Sequence, residues 1–71
     1  MDFIVDRIYE SSYGFRYHIL DNTEHGIQWQ KTNDYFDPEW TTHEIWNKWA
    51  LSVRLMLTKL TLAEARDMDT P

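Results

Sequence analysis

The stretch Ile45-Trp46-Asn47-Lys48-Trp49-Ala50-Leu51-Ser52-Val53-Arg54-Leu55-Met56-Leu57-Thr58-Lys59-Leu60-Thr61-Leu62-Ala63 decides how the chain is read. Placed on a helix at about 100° per residue, Ile45, Trp46, Trp49, Ala50, Val53, Met56, Leu57, Leu60 and Ala63 fall within an arc of about 140°. Leu51, Leu55 and Leu62 fall apart from them, at about 240–280°. The spacing predicts one long helix over 42–63, with a broad core-facing stripe and a second, narrower one. A helix that is apolar on two sides needs a neighbour against each. Leu51, Leu55 and Leu62 are therefore expected to form an oligomer interface, with a homodimer through this helix as one outcome. Trp46, Trp49, Val53, Met56, Leu60 and Ala63 also follow the alternating three- and four-residue steps of a helix seam.

Working back from the helix, the preceding residues read as strands. Residues 2–10 place Phe3, Val5 and Tyr9 on one face by alternation, and Ile4 and Ile8 on the other. Ser11-Ser12-Tyr13-Gly14 is a turn signal, with Gly14 suited to positive φ. Residues 15–20 alternate again, with Phe15, Tyr17 and Ile19 opposite Arg16 and His18, so the two runs make a β-hairpin. Asp21–Gly26 forms a second turn cluster, and residues 27–31 a short third strand. Asp37-Pro38-Glu39 offers an N-cap, a proline at the first helical position and an acid in the first turn, which predicts a helical turn over 38–41. Thr41-Thr42-His43-Glu44 offers a capping box for the main helix. Thr61 and Glu64 have the same spacing and would cap a separate final turn.

These elements give an α+β fold: a three-stranded antiparallel sheet packed against one long C-terminal helix. A helix over 42–63 spans roughly 33 Å, whereas strands of about seven residues span roughly 23 Å. The helix should overhang the sheet, which strengthens the expectation of a partner against its end.

The 71 residues make a single small domain, 1–71, with a polar tail over 66–71 expected to fray. At this size one core leaves little net stability. There is no Cys, so neither a disulfide nor a Cys-based zinc site contributes. Aromatic residues are abundant, with four Trp, four Tyr and three Phe, and they serve a core and an interface equally well. The first residues carry no basic leader and no long apolar run, and no stretch of about 20 apolar residues would span a membrane. The expectation is a soluble, cytoplasmic protein.

The net charge of −5 is unevenly placed. Residues 1–40 hold eight acids against three bases, and residues 41–71 hold four of each. An acidic surface repels nucleic acid and anionic membranes and attracts basic protein surfaces. Asp34, Tyr35, Asp37, Glu39, Trp40 and Glu44 combine aromatic anchors with acids, the composition of a partner-binding site ringed by Lys or Arg on the other side.

Catalytic constellations are missing from the sequence. The three histidines, His18, His25 and His43, do not pair at metal-ligand spacing. Asp34, Asp37 and Glu39 lack the spacing of a calcium loop. The serines lie in a turn and on the helix without a base nearby in sequence, and two glycines cannot make a phosphate loop. No enzyme activity, cofactor or metal is expected. The reading is a protein-binding module without catalysis, most like a small acidic stoichiometric inhibitor or regulator. By size and charge alone this is analogous to the proteins with which phages and mobile elements block restriction or CRISPR machinery, some by mimicking nucleic acid. The alternative is a structural homodimer or small-complex subunit without an inhibitory role.

Overall fold

Two strand-forming runs joined at Gly14 build the centre of the molecule. The computed structural model describes residues 2–33 and 37–69. The strand expected over 2–10 is confined to β1 (Ile8–Glu10), which pairs antiparallel with β2 (Arg16–Thr23), with Ile8 opposite His18 and Tyr9 opposite Tyr17. Gly14 takes φ +88° in the turn between them, as alternation predicts. β2 runs further than expected, through Asp21–Thr23, and leaves only Glu24 and His25 to turn into β3 (Gly26–Lys31). Gly26 is required there. It sits at φ +152°, and a Cβ would lie 2.3 Å from the backbone oxygen of Thr41.

Thr41 belongs to an element that the sequence reading places wrongly. Residues 39–41 form β4 (Glu39–Thr41), an edge strand antiparallel to β3, and not a helical turn. The helix follows as α1 (His43–Ser52), with Thr42 as its extended N-cap. The Thr42 side chain makes no capping hydrogen bond, so the expected box at Thr41–Glu44 is not built.

The long helix over 42–63 is overturned. α1 stops at Ser52, and the chain becomes extended as β5 (Met56–Leu57) before a second helix, α2 (Leu62–Asp69). The stop is a Schellman motif. The N–H of Leu55 donates to the Ala50 carbonyl at 2.9 Å, and the N–H of Arg54 donates to the Leu51 carbonyl at 3.3 Å. Arg54 stands at φ +54°, where glycine is usual. For a residue with a Cβ this left-handed backbone costs roughly 1–2 kcal/mol. The motif swings Met56 and Leu57 onto the open edge of β1, opposite Glu10 and Tyr9. An apolar run that fits two opposite helical faces at once is, in this case, partly strand.

The sheet therefore has five strands in the order β4-β3-β2-β1-β5, all antiparallel, and two short helices in place of three strands and one long helix. α1 packs on one face. There Phe3, Tyr9, Tyr17, Ile19, Ile27, Trp46, Ala50 and Leu55 form the core, with Trp29, Trp49 and Val53 partly buried against it. The other face is partly covered. Ile8, which alternation turns away from Tyr9, is fully buried, and so is Ala65 of α2. The Arg66 Nε–H donates to the Thr32 carbonyl at 3.3 Å, tying α2 across the sheet. α2 continues through Asp69. Its start has the capping box foreseen at Thr61 and Glu64. The Glu64 N–H donates to Thr61 Oγ1 at 3.2 Å, and the Thr61 N–H donates to Glu64 Oε1 at 3.3 Å.

Candidate protein-binding surface

β4, the first turn of α1 and the segment just before β4 hold four of the six residues expected to meet a partner. Asp37, Glu39, Trp40 and Glu44 are all exposed, Trp40 by 52%. Asp34 and Tyr35 lie outside the described residues. Among the described residues no strand lies on the outer side of β4, which leaves that side as a place for an added one. Cross-strand partners share a face. Glu39 stands opposite Trp29 on the α1 side, and Trp40 stands opposite Gln28 on the far side.

The charge here is one-sided. Residues 37–44 hold three acids and no Lys or Arg. Lys48 reaches Glu44 only at 3.5 Å, in an exposed pair one helical turn long, which is worth a few tenths of a kcal/mol at most. Lys31, at the end of β3, sits over the Phe15 ring at 4.2 Å. Asp37 and Glu39 form no ion pair among the described residues.

Behind β4 the aromatic core reaches the surface. Tyr17, Trp29, Ile45 and Trp49 line a depression of about 330 Å³ between the sheet and α1. Its rings are already packed on each other: Tyr17 meets Trp49 edge-on at 4.8 Å, and Trp29 lies nearly parallel to Trp49 at 6.3 Å. The Trp29 Nε1–H donates to Thr41 Oγ1 at 2.8 Å and pins β4 to this cluster. Burial pushes the Tyr17 phenol above its ordinary value of 10.0. The Trp46 Nε1–H has no oxygen partner in the described structure and is sealed from solvent. It lies among the rings of Phe3, Trp29 and Trp49, whose faces are weak acceptors.

The three leucines expected to share an interface are separated. Leu51 is 77% exposed on α1, Leu55 is 4% exposed in the core, and Leu62 opens α2 half-buried. With the long helix gone, they have no common stripe. Leu51 instead rims a groove of about 370 Å³ at the opposite end of the sheet. Phe3, Ala50 and Leu55 line it with Leu51, Met56 and Arg54. Met56 (69% exposed) and Leu57 also stand open on the edge strand β5. The sequence reading missed this second edge, because without a glycine at position 54 nothing marks the helix stop.

Two of the three histidines tie segments of the fold together. His18 Nε2 pairs with Asp6 Oδ1 at 2.8 Å, and His43 Nε2–H donates to the Thr23 carbonyl at 2.5 Å, holding the start of α1 to the β2–β3 turn. Among the described residues, no three His, Cys, Asp or Glu side chains gather to hold a metal ion. No helix among them is long and apolar enough to cross a membrane. The chain matches no protein-family model, no curated protein and no solved structure.

Proposed function

We propose that the protein is a non-catalytic binding module that takes an extended, basic segment of another polypeptide along the outer edge of β4. The observation that carries this reading is the exposed edge strand itself, which bears Trp40, with Asp37, Glu39 and Glu44 exposed close by in sequence and no Lys or Arg among residues 37–44. Strand addition gives main-chain hydrogen bonds on one side of the new strand. The carboxylates select Lys or Arg on the incoming segment and speed its encounter. Trp40 supplies a large, partly exposed anchor of the type that dominates binding energies. Such a domain acts by occupancy, as a stoichiometric regulator does, and not by turnover.

The test uses calorimetry with two extended peptides, one alternating Val with Lys or Arg and one alternating Val with Glu. The basic peptide binds, and raising salt from about 50 mM to about 500 mM weakens it several-fold. Glu39→Lys combined with Trp40→Ala abolishes the heat. Equal binding of the acidic peptide, or basic-peptide binding indifferent to salt and to the double substitution, would overturn the reading.

A further inference from the structure

We propose that the basic segment taken by β4 is the β5 edge of a second copy, so that copies join head to tail into one continuous sheet. This rests on the reading of β4 as a site for a basic strand and supplies the partner. Residues 53–60, which contain β5, hold Arg54 and Lys59 and no acid. Residues 37–44, which contain β4, hold three acids and no Lys or Arg. The two edges of one sheet thus carry opposite charge. Pairing β5 with β5, or β4 with β4, would bring like charges together, whereas β4 with β5 matches them.

The main chain is ready for the contact. The Thr58 N–H donates to the Ile8 carbonyl at 2.9 Å, so by alternation the N–H and C=O of Leu57 point away from β1. Face geometry selects the anchor. Across the order β4-β3-β2-β1-β5 every neighbour reverses, so β4 and β5 run in the same direction. An incoming β4 that continues the antiparallel order must be turned over by a half-turn about the axis that crosses the strands. Trp40, which faces away from α1 in its own copy, then faces the α1 side of the receiving copy. That is the face on which Leu57 stands, opposite Tyr9, and on which the groove of Phe3, Leu51 and Leu55 opens, with Arg54 and Met56 at its rim.

Arg54 is the independent sign that this edge is built for contact. It occupies the left-handed position where a helix usually ends in glycine. Its guanidinium has no hydrogen bond or ion pair in the described structure that would explain its presence. Strain retained under an unused charged side chain fits a residue kept for a partner. The pairing is heterologous and leaves a free β4 at one end and a free β5 at the other, so it does not close at two copies.

Sedimentation equilibrium tests this from about 10 μM to about 1 mM. The mean mass of the native chain should rise with concentration, and less so in high salt. Glu39→Lys with Trp40→Ala disables β4, and Arg54→Gly with Met56→Glu disables β5. All four positions are exposed, and an unchanged far-UV spectrum and cooperative melting confirm folding. Each double variant alone should stay monomeric or nearly so. Each retains the edge that the other lacks, so an equimolar mixture should give a discrete one-to-one dimer. A native chain that is monomeric at about 1 mM overturns the proposal. So does a mixture that stays monomeric, or association that survives the β5 substitutions. Basic-peptide capture by a monomeric chain would leave the β4 reading standing while removing this one. Loss of both would remove both.

Discussion

Arg54 and Tyr17 show how far single residues depart from their ordinary settings. Arg54 ends α1 in a backbone conformation that glycine adopts at no cost, and it turns Leu55 into the core in doing so. Tyr17 is buried among Trp29 and Trp49, which raises its phenol pKa by desolvation. A group whose folded pKa lies above its unfolded value contributes stability that is complete below the unfolded value, here 10.0, and is lost as pH rises through the folded one. The protein should therefore unfold more easily as pH climbs above 10.0. Tyr17→Phe should flatten that dependence while leaving neutral-pH stability within about 1 kcal/mol, because ring packing is retained. Urea midpoints measured from neutral to strongly alkaline pH check this. An equal alkaline slope in both proteins would remove the role given to Tyr17.

Among the elements, those specified by neighbours in sequence were legible and those specified by distant strands were not. The turn at Gly14, the alternation of Arg16–Leu20 and the strand around Trp29 read directly from the chain, because each depends on residues a few positions apart. The capping box at Thr61–Glu64 is equally local and is present. Thr61→Ala should cost about 1 kcal/mol and act on α2 before the sheet. Amide exchange over Ala65–Met68 should speed up while the amides of β2 and β3 keep their protection. Uniform loss of protection would mean that α2 and the sheet open as one unit. β4 and β5 were illegible for a physical reason. Asp37-Pro38-Glu39 is a good helix start, but residues 39–41 gain more by pairing with β3 beside Gly26. Residues 53–57 are good helix formers in part, but β1 would otherwise be an open edge, and pairing with it also carries Leu55 into the core.

For the whole molecule, the five strands and two helices change which surfaces are available. A domain of this size has a net stability of about 4–10 kcal/mol. Leu55→Ala removes a core side chain and should take away about 2–5 kcal/mol, about half of that stability. Thermal denaturation followed by circular dichroism measures this, and a melting temperature unchanged by the substitution would remove Leu55 from the core. The candidate site was half legible. Asp37, Glu39, Trp40 and Glu44 were singled out by composition alone, and the structure exposes all four, just before an edge strand, on it and on the helix turn after it. The contrast between the acidic β4 edge and the basic β5 edge was not legible, since it exists only once both strands are known to be edges. The sequence by itself determined the pairing of the two runs about the Gly14 turn, though not the length of the first, and also the separate cap of α2, the aromatic wealth of the core and the placement of excess negative charge before residue 41. Only the tertiary structure decided that the apolar run after Ser52 leaves the helix. Hydrophobic spacing within one segment carries no record of strand partners, which are chosen by main-chain groups far away in the chain.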